Sequence, residues 1–286
     1  MTQRALDASR LLGASLLLAL AGCRADLRPA PLDEREAPRE EARGRELLAR
    51  GATTPVLSGA RPWRELPGIE VELDDEYFGL VGAIGRPWPT DPCRLRLRFL
   101  PGRCASVASF QDGERRVRWG IHEWNTWRAE GDAAPEYDDD STIAFWLPTL
   151  QYFLEIAFRL PEAGIVDAAG PAEVQGHPCQ RVYLTWGSYT PNADLDQYLA
   201  YVDEATGLVR RVDFTVRDVA GFVTGTVLLS DFREVGGYLL PHVLEIGEDP
   251  PEDLLHRITV RSWRPGVEVT RPEVAPDPQR GPGRKP

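Results

Sequence analysis

The stretch CRLRLRF, Cys93 to Phe99, alternates four apolar side chains with three arginines. Only an extended backbone sends successive side chains to opposite faces, so this pattern fixes a half-buried β-strand. The same period of two recurs: Ile69, Val71 and Leu73 against Glu70 and Glu72, Val182, Leu184 and Trp186 against Arg181 and Thr185, and Val212, Phe214 and Val216 against Arg211, Asp213 and Arg217. It returns in Val227 and Leu229 opposite Thr224 and Thr226, and in Ile258 and Val260 opposite Arg257 and Arg261. A dry face and a wet face on each strand mark antiparallel rather than buried parallel sheet. Between runs lie LPGR at 100–103, QDGE at 111–114 and DEATG at 203–207, short glycine-containing turns that predict hairpins strung into a meander.

One segment has a different period. In FWLPTLQYFLEIAFRLPEAG, from Phe145, the residues Leu147, Leu150, Leu154, Ile156, Ala157 and Phe158 fall at helical spacing. Pro148 near the start and Pro161 past the end predict a helix over 147–160, apolar nearly all round. Such a helix needs cover on most sides, and the hollow of a curved sheet supplies it. The expected class is α+β and mostly antiparallel β: a curved incomplete barrel, a half-barrel meander, with one or more apolar helices over its concave face.

The ends differ from this core. Leu11 to Gly22 is too short for a membrane span of about 20 residues, and it follows Arg4 and Arg10 as the apolar region of a signal peptide follows its basic start. Leu20, Ala21, Gly22 and Cys23 then resemble the lipobox of bacterial lipoproteins. That resemblance implies cleavage before Cys23, lipidation of Cys23 and a membrane anchor. Arg24, where an inner-membrane retention signal would carry Asp, implies an outer-membrane address facing the periplasm. The chain is therefore expected to divide into a signal peptide (1–22), a Pro- and charge-rich tether (23–65) with a short helix near 39–50, a β-domain (66–264) and a disordered Pro-rich tail (265–286). Such a tether lets the domain stand off a membrane. A net charge of -11 weighs against nucleic acid as a partner.

Between Val174 and Ile246 the chain reads VQGHPCQRVYLTW, YLAYVDEATGLVRRVDF and LLSDFREVGGYLLPHVLEI. A Gly before a strand, a strand ending in Asp with Thr-Gly in the turn, and a Gly-rich turn leading to Leu-Pro together resemble the LolA/LolB-like superfamily of periplasmic lipoprotein carriers and lipid-binding relatives. The resemblance implies an open barrel enclosing a hollow for acyl chains, with a lipid or lipoprotein acyl chain as ligand. GLVGAIGRPWPTDPC, in the first part, has no counterpart in it.

No catalytic motif emerges, and neither an enzyme nor a cofactor is expected. His122 lies in IHEWNTW without a second histidine four residues on, so the helical zinc pattern is missing. His177 and Cys179 share a strand face but lack further metal ligands nearby. His242 and His256 complete the four histidines. EYDDDS, Glu136 to Ser141, reads as a solvated loop or, less simply, a site for a hard cation. Cys93, Cys104 and Cys179 leave either one disulfide and a thiol or three unpaired thiols; the Pro101–Gly102 turn sets Phe99 or Leu100, not Cys93, opposite Cys104. The aromatics Trp124, Trp127, Phe145, Trp146, Tyr152, Phe153 and Phe158 crowd one region and are the candidate lining of an apolar pocket. Two functions follow: an anchored, non-enzymatic binder of an acyl chain, or a structural lipoprotein with a solid core that presents its sheet to an envelope protein.

Overall fold

Period-two alternation becomes thirteen strands among the described residues, which are 24–29, 40–277 and 279–283 of this computed structural model. The strands are β1 (Ile69–Tyr77), β2 (Cys93–Phe99), β3 (Ala105–Asp112), β4 (Arg115–His122), β5 (Asn125–Glu130), β6 (Glu136–Tyr137) and β7 (Ile165–Val174). They continue as β8 (His177–Thr185), β9 (Gln197–Asp203), β10 (Val209–Thr215), β11 (Thr224–Val235), β12 (Tyr238–Gly247) and β13 (Leu254–Pro265). Among the described residues four α-helices accompany them: α1 (Glu41–Thr53), α2 (Gly79–Gly85), α3 (Ser141–Arg159) and α4 (Arg271–Val274).

All thirteen strands form a single open antiparallel sheet in the order β6-β5-β4-β3-β2-β1-β13-β12-β11-β10-β9-β8-β7. The chain starts in the middle, winds outward to β6, crosses to the far edge at β7 and winds back until β13 lies beside β1. The crossing element is α3, so it joins the two edges by passing over one face of the sheet. Its Leu147, Leu150, Leu154 and Ile156 share one core with Leu73, Leu95 and Leu97 of the central strands. This is the half-barrel with an apolar helix that the alternation implied.

On the outer face, Glu72 lies opposite Arg96 and Asp74 opposite Arg94 in the β1–β2 register. Arg96 reaches Glu72 at 3.1 Å, Arg94 reaches Asp74 at 3.2 Å, and Arg264 of β13 reaches Glu70 at 2.8 Å. The Arg96–Glu72 and Arg94–Asp74 pairs, open to solvent on the arginine side, contribute about 0–1 kcal/mol each, while Glu70 is buried beneath its arginines. Their stronger effect is on register, because a one-residue slip would bury the charges.

Both edges are blunted. β6 has two residues, and β7 carries Pro171 beside a register shift between Ala168 and Pro171. Helix α1 packs on β7: Leu47 and Leu48 are buried, and a Cβ on Gly44 would lie 2.7 Å from Val166 Cγ1. Residues 41–65, expected within the tether, thus belong to the folded body, because two leucines and two buried glycines suffice for close contact despite a charged sequence. The expected tail is also partly packed: Val274 is buried, and its carbonyl accepts from Trp127 Nε1 at 2.9 Å.

Helix α3 starts at Ser141 rather than near Leu147, which leaves Pro148 inside it. The reason is the cap: Asp140 Oδ1 accepts from the backbone N–H of Thr142 at 2.9 Å and of Ile143 at 3.2 Å. Such a cap is worth ~1 kcal/mol. Cys93 and Cys179 are buried free thiols, and burial pushes each up to about 11.

Candidate functional site

Helix α3 does not seal the sheet along its whole length. Its first three turns border a cleft of about 600 Å³, reached by Ser141, Ala144, Phe145, Trp146, Pro148, Thr149, Tyr152 and Phe153. The sheet contributes Tyr77 of β1, Tyr198 of β9, Phe214 and Thr215 of β10, Ile246 of β12, and Leu255 and His256 of β13. Trp124, in the β4–β5 turn at φ 67°, Val81, Gly82 and Gly85 of α2, Asp196 just before β9, and Val216 and Asp218 complete the border. The volume falls within the roughly 300–1,000 Å³ of small-molecule pockets.

Of the seven aromatics singled out in the sequence, Trp124, Phe145, Trp146, Tyr152 and Phe153 meet at this cleft. Trp127 does not. It pairs with Gly120 across β4 and β5 and packs with Ala105, Val107 and Val274 in a separate cluster. Phe158 is also elsewhere, stacked on Trp63 with ring centroids 4.1 Å apart. Adjacency in sequence brought these two into the candidate set; strand alternation and the last turns of α3 carry them away.

Polar groups lie at the cleft and behind it: His256 borders it, and Asp75 is buried behind His256 and Tyr77. Asp75 lies on the inner face of β1, 1% exposed, where Trp88 Nε1 donates to it at 2.5 Å and the Tyr77 hydroxyl at 3.4 Å. His256 Nε2 also bonds Asp75 Oδ1. An acceptor-only carboxylate makes Nε2 the protonated nitrogen, so Nδ1 remains as the second polar atom of the ring. The imidazole stacks on Tyr77 at 4.4 Å, and Trp146 meets both rings edge-on. The sequence held the signal for this group: Leu73, Asp75 and Tyr77, and His256, Ile258 and Val260, are in the inward phase of their strands.

At Asp196 burial raises the carboxyl above its ordinary range, while the Arg217 N–H and the Thr215 hydroxyl, at 2.8 and 2.9 Å, pull it back. Burial raises the Tyr152 and Tyr198 phenols, which stay protonated donors. EYDDDS holds no cation site of its own: Arg128 Nη2 lies 2.9 Å from Asp138 and 3.2 Å from Asp140. Among the described residues no three His, Cys, Asp or Glu side chains are grouped to hold a metal. His177 Nδ1 is 3.3 Å from Asp203, His242 Nδ1 is 3.1 Å from the Leu240 carbonyl, and burial lowers His122. Cys23 lies outside the described residues.

No protein-family model matches the chain, and no curated protein matches it. Solved structures do. A domain described as outer-membrane lipoprotein-sorting from Vibrio parahaemolyticus is 10% identical, with a TM-score of 0.51 over 82% of this chain and 97% of that one. A LolA superfamily protein from Nitrosomonas europaea is 8% identical over 80% and 94%, with a TM-score of 0.47. A DUF1329 family protein from Desulfovibrio piger is 11% identical over 82% and 97%, with a TM-score of 0.46. At such identities the likeness is one of fold. The class of fold is LolA-like, with an open curved sheet and a helix across its hollow.

Proposed function

We propose that this is a lipid-anchored envelope protein, non-enzymatic, that binds an acyl chain or a similar apolar ligand between α3 and the sheet. The observation that carries this reading is the aromatic cleft under the first turns of α3. Enclosing about 200 Å² of acyl surface at ~25 cal/mol per Å² contributes roughly 5 kcal/mol before the costs of association. A wholly solid core, the alternative of a structural lipoprotein, is harder to reconcile with that opening.

The anchor in this reading is lipid on Cys23, after cleavage of residues 1–22, with the protein on the periplasmic side of the outer membrane. Native mass spectrometry after gentle purification is expected to show a bound lipid, and that lipid is expected to compete with a fluorescent fatty acid. Protein that carries no lipid and takes up no fluorophore would remove the binding role. Metabolic palmitate labelling is expected to vanish in Cys23→Ala; label kept at full level would remove the anchor.

A further inference from the structure

Two segments that border the cleft are apolar on their exposed sides. Helix α2 reads GLVGAIG and turns a glycine inward: Gly82 is buried, and a Cβ there would lie 2.6 Å from the Leu255 carbonyl oxygen. Its large side chains face out, with Leu80 78%, Val81 67% and Ile84 77% exposed. A surface helix ordinarily hides such residues and shows polar ones, so this arrangement is inverted. The second segment, 216–223 between β10 and β11, gives Val216 and Asp218 to the cleft and exposes Val219 and Phe222 at 60% and 45%. Apart from Trp186, these five are the exposed large hydrophobics among the described residues, and all of them lie on the two segments that border the cleft.

The course of the N-terminal chain indicates what covers them. Residues 24–28 are strapped to the same 216–223 segment. Ala25 N donates to the Gly221 carbonyl at 3.0 Å, Arg217 Nη2 donates to the Ala25 carbonyl at 2.5 Å, and Arg217 Nη1 donates to the Gly221 carbonyl. Leu27 N donates to Gln197 Oε1 at 2.9 Å. Cys23 precedes Arg24 by one peptide unit, ~3.8 Å between Cα atoms. A lipid on Cys23 would therefore leave the chain two residues before Ala25, which is bonded to the segment that borders the cleft.

We infer that the apolar rim formed by α2 and residues 216–223 is seated on the lipid bilayer, held there by the 24–28 strap. An acyl chain then passes between membrane and cleft without crossing water. This rests on the Cys23 anchor proposed above, and it replaces the expected stand-off on a free tether. A bilayer fits better than a protein partner because the strap brings the anchored plane to the rim and α2 carries no charged side chain.

The test uses the full lipidated chain in vesicles of phosphatidylethanolamine and phosphatidylglycerol, with p-benzoylphenylalanine in place of Ile84, of Phe222 or, as a control, of the exposed Glu114 in the β3–β4 turn. Irradiation is expected to give several-fold more phospholipid adduct at 84 and 222 than at 114. Cutting the strap with Arg217→Gln, or with Ala25→Pro, which removes the N–H to Gly221 and leaves Arg217 in place, is expected to lower the adduct at 84 several-fold while the protein still floats with the vesicles. Protein that floats but gives equal adduct at the three positions overturns the inference and leaves the anchor standing. Adduct at 84 formed only with the chain's own Cys23 acyl group overturns it in favour of a self-occupied cleft. Protein that does not float removes anchor and inference together.

Discussion

The two halves of α3 face different surroundings. Its first turns look into a cleft, whereas its last turn is tied down on every side. Glu155, fully buried at a kink in the helix, accepts from Trp63 Nε1 at 3.1 Å, Gly102 N at 3.0 Å, Gln151 Nε2 at 3.1 Å and Arg159 Nη1 at 3.0 Å. Around it Phe158 stacks on Trp63, whose ring meets Tyr238 and Trp263 edge-on. One helix thus serves as a fixed bolt at one end and as the wall of an opening at the other. A carboxylate with four donors specifies a single position for the helix, while at the other end Ile143, Leu147 and Leu150 pack into the core and the neighbouring faces border the cleft.

The largest effect that would separate the halves is expected at the bolted end. Glu155→Ala leaves the Trp63 and Gly102 N–H groups without an acceptor, while Gln151 keeps the Leu100 and Arg103 carbonyls and Arg159 keeps Glu162, a loss of about 2–4 kcal/mol of folding stability. Urea denaturation reads it directly. A loss below ~1 kcal/mol would mean that the network does not hold the helix and that the two ends are alike. At the open end, Ala144→Trp fills the cleft. Circular dichroism and the denaturation midpoint are expected to stay near wild type while affinity for a fluorescent fatty acid falls about tenfold, equivalent to ~1.4 kcal/mol. A large loss of stability with binding retained would invert the assignment.

The smallest effect tests how dry the open end is. The raised Asp196 carboxyl means that its ionised form disfavours the fold at neutral pH, a cost present above the folded-state value and gone once pH falls below the ordinary carboxylate range. Asp196→Asn keeps an Oδ1 for the Arg217 N–H and the Thr215 hydroxyl. It is expected to gain up to about 1 kcal/mol at neutral pH, with the gain fading on acidification. Stability curves against pH for the two proteins that run parallel would show the cleft to be wet.

What the sequence made legible followed from periodicity. The inward set of β2, Cys93 through Phe99, and the apolar run of α3 could be read residue by residue, because burial on one face writes its own period. Pairing order has no such imprint: nothing local in IEVELDDEY says that its neighbours are β2 and β13 rather than β2 and β3. The helix near 39–50 could be read, but its docking on the sheet was hidden for another reason. It docks through Gly44 and Gly51, whose contribution is the absence of a side chain, and hydrophobic patterning cannot register that. The cleft was legible in its aromatics and not in His256 or in the Asp75 behind it. Asp75 and His256 had the inward phase but the wrong polarity, and only the structure shows them answering each other across β1 and β13.

The placement of β13 beside β1 has a consequence for how the molecule comes into being. The register runs from Ile69 opposite Pro265 to Tyr77 opposite His256, so the first strand synthesised is completed by the last. Until residues 254–265 arrive, β1 has an open hydrogen-bonding edge in the middle of the future sheet, and both wings wait on that contact. Pairing over so long a loop is slow to form and exposed to wrong partners in the interval. A chain cut short before Leu254 would lose the seam between two half-sheets rather than a dispensable end, and a growing chain needs shelter for longer than its simple meander suggests.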